Sequence, residues 1–101
     1  MVHVVVMVKV KEGKAGDFVR LFKSVASTVS QEKGCVQYIA TVDAPDAPPE
    51  TVDKNVVTIL EKWDCLGDIQ NHMATPHMKE FFEKQKDLVE GISIMKMLQE
   101  A

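Results

Sequence analysis

Two of the chain's three histidines, His72 and His77, lie five residues apart, a short distance past its only tryptophan, Trp63. An imidazole accepts and returns a proton near neutral pH, so a histidine at the wall of a pocket is a ready general base. His72 is the first candidate for that role. His77 is the second. It follows Thr75-Pro76, which reads as an N-cap with proline at the first helical position. The helix dipole disfavours an imidazolium there and suits His77 to a neutral hydrogen-bonding part. Trp63 and Tyr38, the only tyrosine, add aromatic surface. A half-buried Tyr38 hydroxyl needs a partner, and a ligand oxygen is one. Met73, Phe81 and Phe82, at helical spacing, and Val6, on a strand, would line such a pocket with hydrocarbon. Together these groups could wall a small-molecule pocket.

Other chemistries lack their residues. The five-residue spacing of the two histidines near Cys65 crosses a helix break and is not the same-face spacing of a helical zinc pair, and no third ligand is evident. Cys35 and Cys65 have no basic neighbour to activate a thiolate. No glycine-rich loop follows a strand to cradle a phosphate. With a net charge of −3 and Arg20 as the only arginine, the chain has no basic stripe for nucleic acid. No apolar run approaches the ~18 residues of a membrane span. The first residues lack the basic region and cleavage site of a leader, and two cysteines make no disulfide framework, so the expected location is the cytoplasm. His3 is given no role.

The elements that must position these groups follow from patterning. The 101 residues suit one domain. Val2 to Lys11 reads as a strand, and Asp17 caps a helix to Lys33 with Phe18, Leu21, Phe22, Val25 and Val29 on one face. Gly34 supplies a left-handed stop. Cys35 to Val42 and Val56 to Trp63 are strands. Between them Asp43 to Asn55, with Pro45, Pro48 and Pro49, reads as irregular, either a flap or an arm over a neighbour. Cys65 to Met73 is a short helix. Pro76 to Val89 is a longer one with Met78, Phe81, Phe82, Gln85 and Val89 as its stripe, ended by Gly91, and Ile92 to Leu98 is the last strand. The order β-α-β-β-α-β predicts an α+β, ferredoxin-like protomer, a four-stranded antiparallel sheet with helices on one face.

Such a sheet should alternate apolar and polar residues, and this one does not. Val4, Val6 and Val8 oppose Val5 and Met7; Val57, Ile59 and Glu61 oppose Val56, Thr58 and Leu60. Covering an outer face of about 300 Å² is worth roughly 8 kcal/mol per protomer before association costs. The expectation is a homodimer packed sheet to sheet.

Glu61-Lys62-Trp63, then His72, then Thr75-Pro76-His77-Met78, preceded by Glu32-Lys33-Gly34-Cys35 and Tyr38, resembles the antibiotic biosynthesis monooxygenase family, and within it the small quinol monooxygenases. The resemblance implies a dimeric α+β barrel of two ferredoxin-like protomers, each with a pocket between sheet and helices. It implies oxidation of a quinol or related phenol by O2 with no cofactor, neither metal nor flavin. The family's haem-degrading branch uses an asparagine on the first strand and a histidine ligand on the longer helix; those places resemble Val6 and Phe82 here.

The implied chemistry is energetically open to a histidine. Full proton transfer from a phenol to an imidazole is uphill by roughly 4.8 kcal/mol between unperturbed groups. A turnover of about 1 s⁻¹ tolerates a barrier of roughly 17 kcal/mol. Two other readings use the same pocket: a non-enzymatic module that binds a small aromatic ligand, and an isomerase of a small carbonyl metabolite.

Overall fold

The computed structural model describes residues 1–101. The elements run β1 (Val2–Val10), α1 (Ala15–Ser30), β2 (Cys35–Val42), β3 (Val56–Trp63), α2 (Leu66–Met73), α3 (Pro76–Lys84) and β4 (Val89–Gln99). The four strands form one antiparallel sheet in the order β2-β3-β1-β4. This is the ferredoxin-like α+β fold expected, with a short extra helix, α2, leading into α3.

Strand register explains the valines. Val4, Val6 and Val8 stand opposite Glu61, Ile59 and Val57 on β3, and opposite Met97, Met95 and Ile92 on β4. Directly opposed residues share a face, so these line the helix side. Val2, Val4, Val6, Val8 and Val10 are all buried there. Val5 and Met7 point the other way with Leu60 and Thr58. Against the inner face, α1 lays Phe18, Phe22 and Val29, all fully buried. Each such phenylalanine is worth about 1.5–3 kcal/mol of burial.

The helix layer leaves β4 uncovered. Ile92, Ile94, Met95, Met97 and Leu98 are exposed on both faces of this edge strand, and Ile39 is exposed on the outer face of β2.

Several boundaries differ from those read in the sequence. The first helix begins before Asp17, which pairs with Lys14 and Arg20 from the first turn, and ends at Ser30. The α3 helix stops at Lys84, and a 3₁₀ turn over Gln85–Asp87 leads directly into β4. Gln85 and Val89 keep a helical interval, but Val89 pairs with Val10, and the Lys11 N–H bonds the Leu88 carbonyl at 2.9 Å. Pairing with β1 outweighs the local period. Gly91 therefore ends no helix; it lies within β4 opposite Lys9, where two register shifts bend the strand. Cys65 is the N-cap of α2 and not its first residue. The 43–55 segment holds one 3₁₀ turn, Pro49–Thr51, and is tied by Asp53 N–H to Asp43 Oδ2 at 2.9 Å. Thr75 caps α3 as expected, its hydroxyl accepting from the Met78 N–H.

Candidate functional site

Between the inner face of the sheet and the α2–α3 layer lies a cavity of about 110 Å³. Its floor is Val6, Val8 and Ile59; its roof is Met78, Phe81 and Phe82 from α3, with Gln85 beyond. Tyr38, Glu61 and His72 bring polar atoms to it. The exposed residues Met73, Ile92 and Met95 mark its mouth, between the end of α2 and the uncovered β4. This volume is below the ~150 Å³ that holds benzene in an apolar protein interior, so even a single-ring ligand would extend into the mouth. None of residues 43–55 lines the cavity.

His72, near the C-terminal end of α2, is 2% exposed. Its ring lies 4.8 Å from the Trp63 indole and edge-on to Tyr38 at 5.4 Å. Nδ1 contacts Oε2 of Glu32 at 2.9 Å. A carboxylate oxygen only accepts, which assigns the proton to Nδ1 and the lone pair to Nε2. Nε2 has no hydrogen-bond partner in the protein, and no buried polar side-chain atom is left unsatisfied, so this nitrogen is not sealed in. The arrangement can take a proton from a ligand hydroxyl.

Tyr38 stacks on Phe22 with ring centres 4.6 Å apart. The only hydrogen-bond partner of its hydroxyl is the Met78 sulfur at 3.9 Å, a weak acceptor. Burial, reinforced by the charges of Glu61 and Glu32, pushes the phenol pKa well up, so the group stays a donor. Glu61 points inward on β3 and accepts from Trp63 Nε1 at 2.8 Å. Burial pushes its carboxyl pKa up; the Trp63 hydrogen bond and nearby His72 oppose the rise without cancelling it.

Six of the eight residues singled out in the sequence meet around this cavity: His72, Tyr38, Val6, Met73, Phe81 and Phe82. Two do not. Trp63 is fully buried behind Glu61 and His72, because its place on β3 faces the α2 end of the core. His77 faces a groove between α1 and α3, and its Nε2 reaches the same Glu32 oxygen at 2.8 Å. Glu32 and Glu61 were not singled out as site residues. Glu61 had a signal, a carboxylate in the inward series Val57, Ile59, Glu61, Trp63. Glu32 stood only in the Glu32-Lys33-Gly34-Cys35 stretch that resembles the family, and nothing local marked it for the site, since it meets its partners 40 and 45 residues along the chain.

No group of three or more His, Cys, Asp or Glu side chains is arranged to hold a metal. Val6 and Phe82 offer iron no donor atom, so the two positions that resemble haem anchors do not fit that group.

Comparison with known proteins agrees with this architecture. The family model for antibiotic biosynthesis monooxygenase matches residues 1–84. The probable quinol monooxygenase YgiN of Escherichia coli K12 is 30% identical over 66 residues, 64% of this chain and 64% of that protein's length. The crystal structure of PA3566 from Pseudomonas aeruginosa has a TM-score of 0.82 at 18% identity, covering 99% of this chain and 93% of its own. A conserved protein from Methanosarcina mazei Go1 gives 0.82 at 24% identity, covering 99% and 92%. The fold, the residues shared with the family and the extent of the match lead to one conclusion: the chain belongs to the antibiotic biosynthesis monooxygenase family.

Proposed function

We propose that this protein oxidises a quinol or related phenol with O2, without metal or flavin, and that His72 is the base. The observation that carries the reading is the pinned imidazole: Nδ1 is held by Glu32, Nε2 has no partner in the protein, and the residue lines an apolar cavity. The name of the Escherichia coli relative supports the substrate class.

In this reading a quinol lies in the cavity with one hydroxyl at His72 Nε2 and Tyr38 donating to an oxygen. Phe81, Phe82, Met73 and Val6 contact its rings. His72 takes the hydroxyl proton. The quinolate gives one electron to dioxygen, the two radicals recombine through a carbon–oxygen bond, and His72 returns its proton to the resulting peroxide. Loss of water leaves the hydroxylated quinone, so one quinol and one O2 become one hydroxyquinone and one water. Trp63 acts through Glu61 and His72, and not by touching the substrate.

The reading also includes a homodimer joined through the outer sheet faces. The apolar row Ile39, Leu60, Val5 and the unclad β4 support it. The free thiols of Cys35 and Cys65 suit a reducing compartment such as the cytoplasm.

Reduced naphthoquinones incubated with and without O2 test the reaction. Enzyme-dependent quinol loss should need O2 and give a hydroxyquinone. Equal loss under both conditions would reject it, and saturable binding without turnover would favour a binding module.

A further inference from the structure

We infer that Glu32 is the positioning residue of the site, fixing His72 with its lone pair toward the cavity, and that His77 in turn fixes Glu32. The inference rests on the proposed role of His72 as base.

Oε2 of Glu32 lies 2.9 Å from His72 Nδ1 and 2.8 Å from His77 Nε2. One carboxylate oxygen thus receives two N–H donors from opposite sides of the helix layer. His72 belongs to the inner cavity, and His77 to the groove between α1 and α3. Glu32 itself follows α1 in the turn before Gly34. Three separate segments therefore converge on one atom.

The side chain of Glu32 is 13% exposed, and neither lysine nor arginine lies within salt-bridge reach of it. Its charge is balanced only by the two imidazole N–H groups. When His72 accepts a proton at Nε2, the Glu32 carboxylate already faces the new imidazolium at Nδ1, so the charge created by the transfer meets a partner without moving an atom. The proton itself stays on His72 until it is returned.

The orientation also matters. Without an acceptor at Nδ1, the ring is free to place its proton on Nε2, and a base with a proton on its working nitrogen cannot accept another. His77 restrains the carboxylate from the far side, so a rotation of Glu32 away from His72 breaks two hydrogen bonds.

The test is ¹⁵N NMR of the imidazole rings in the full chain, with steady-state kinetics on reduced naphthoquinone alongside. In the wild type, neutral His72 should carry its proton on Nδ1 and His77 on Nε2. Glu32→Gln should release the His72 tautomer and lower kcat at least ~100-fold with little change in KM; an orienting carboxylate made an amide can cost up to ~10⁴. His77→Ala should lower kcat about 10-fold, whereas His77→Gln, whose amide N–H can serve the same oxygen, should stay near wild type. A wild-type His72 protonated on Nε2, or a Glu32→Gln protein that keeps both tautomer and kcat, overturns the inference. If Glu32→Gln does not fold, the wild-type tautomers and the His77 pair decide it. A correctly pinned His72 in a protein that turns over no quinol would end the oxidase reading and leave the pinning intact.

Discussion

Trp63 donates its indole N–H to Oε1 of Glu61 at 2.8 Å, from two residues further along the same strand. Both side chains face the helix layer, where Trp63 is fully buried and Glu61 lines the cavity. The core thereby holds a carboxylate that the site would otherwise have to solvate. Trp63→Phe keeps much of the packing but strands this acceptor. Unfolding in urea should show a loss of about 1–3 kcal/mol from the unpaired group, added to the loss of ring contacts. In Glu61→Gln, whose amide oxygen still accepts, the indole bond should remain and the loss should be smaller.

Glu61 also predicts a pH dependence of stability. Burial, the main cause, raises its carboxyl pKa above the ordinary 4.5. A carboxyl whose pKa is higher folded than unfolded holds its proton more tightly in the folded state. Its contribution is complete below pH 4.5 and is lost as pH rises from there through the folded pKa. The stability of Glu61→Gln relative to wild type should therefore climb across that window and level off above it, with a slope no steeper than ~1.4 kcal/mol per pH unit. Urea unfolding of both proteins from pH 4 to pH 8 measures it. A difference that shrinks as pH rises would show that the carboxylate form is the favoured one.

Tyr38 separates stability from binding. Its hydroxyl has only the Met78 sulfur nearby, so its removal strands no strong partner. Tyr38→Phe should unfold within ~0.5 kcal/mol of wild type. If the hydroxyl donates to a ligand oxygen, quinol binding should weaken roughly 3- to 10-fold, the size of one hydrogen bond. Titration of a non-reactive quinone by fluorescence checks it.

The outer sheet face predicts association. Leu60 stands between Val5 and Ile39 at the centre of that face, away from the cavity. Wild type should sediment at twice the 11.3 kDa chain mass. Leu60→Lys should shift it to the monomer with unchanged circular dichroism, because a charge at the centre of an apolar interface has no partner there. A monomeric wild type at micromolar concentration would remove the sheet-to-sheet dimer.

What the sequence disclosed divides along physical lines. The strands Val2–Val10 and Val56–Trp63 were readable, the first to within one residue, because runs of β-branched valine and isoleucine mark a strand locally. Thr75-Pro76 was readable because a cap is a local hydrogen bond. The stretch from Gln85 to Gly91 misled because its apolar spacing suits a helix, while pairing with β1 decided the outcome. In the candidate site, His72 and Tyr38 stood out by residue type. Glu32 did not, since a glutamate after a helix looks like any solvated charge until two distant histidines close on it.

Gly34 offers a test of how tightly the site depends on a backbone position outside it. It has φ of +82°, and a Cβ there would collide with the carboxylate of Asp68, which is buried in the first turn of α2. The same α2 carries His72, and Gly34 lies two residues after Glu32. Alanine at Gly34 adds a left-handed backbone cost of about 1–2 kcal/mol to that collision. Relief of the collision requires the Asp68 side chain to turn away and α2 or the turn to give where Asp68 Cβ remains too close. Gly34→Ala should therefore lose more than ~2 kcal/mol of stability. Combining it with Asp68→Ala removes the carboxylate but leaves the residue 68 Cβ 2.8 Å from the added carbon, so it should recover part of the steric cost and none of the backbone cost, and the double mutant should be more stable than additivity of the two single changes allows. Full additivity would mean that the two residues do not collide.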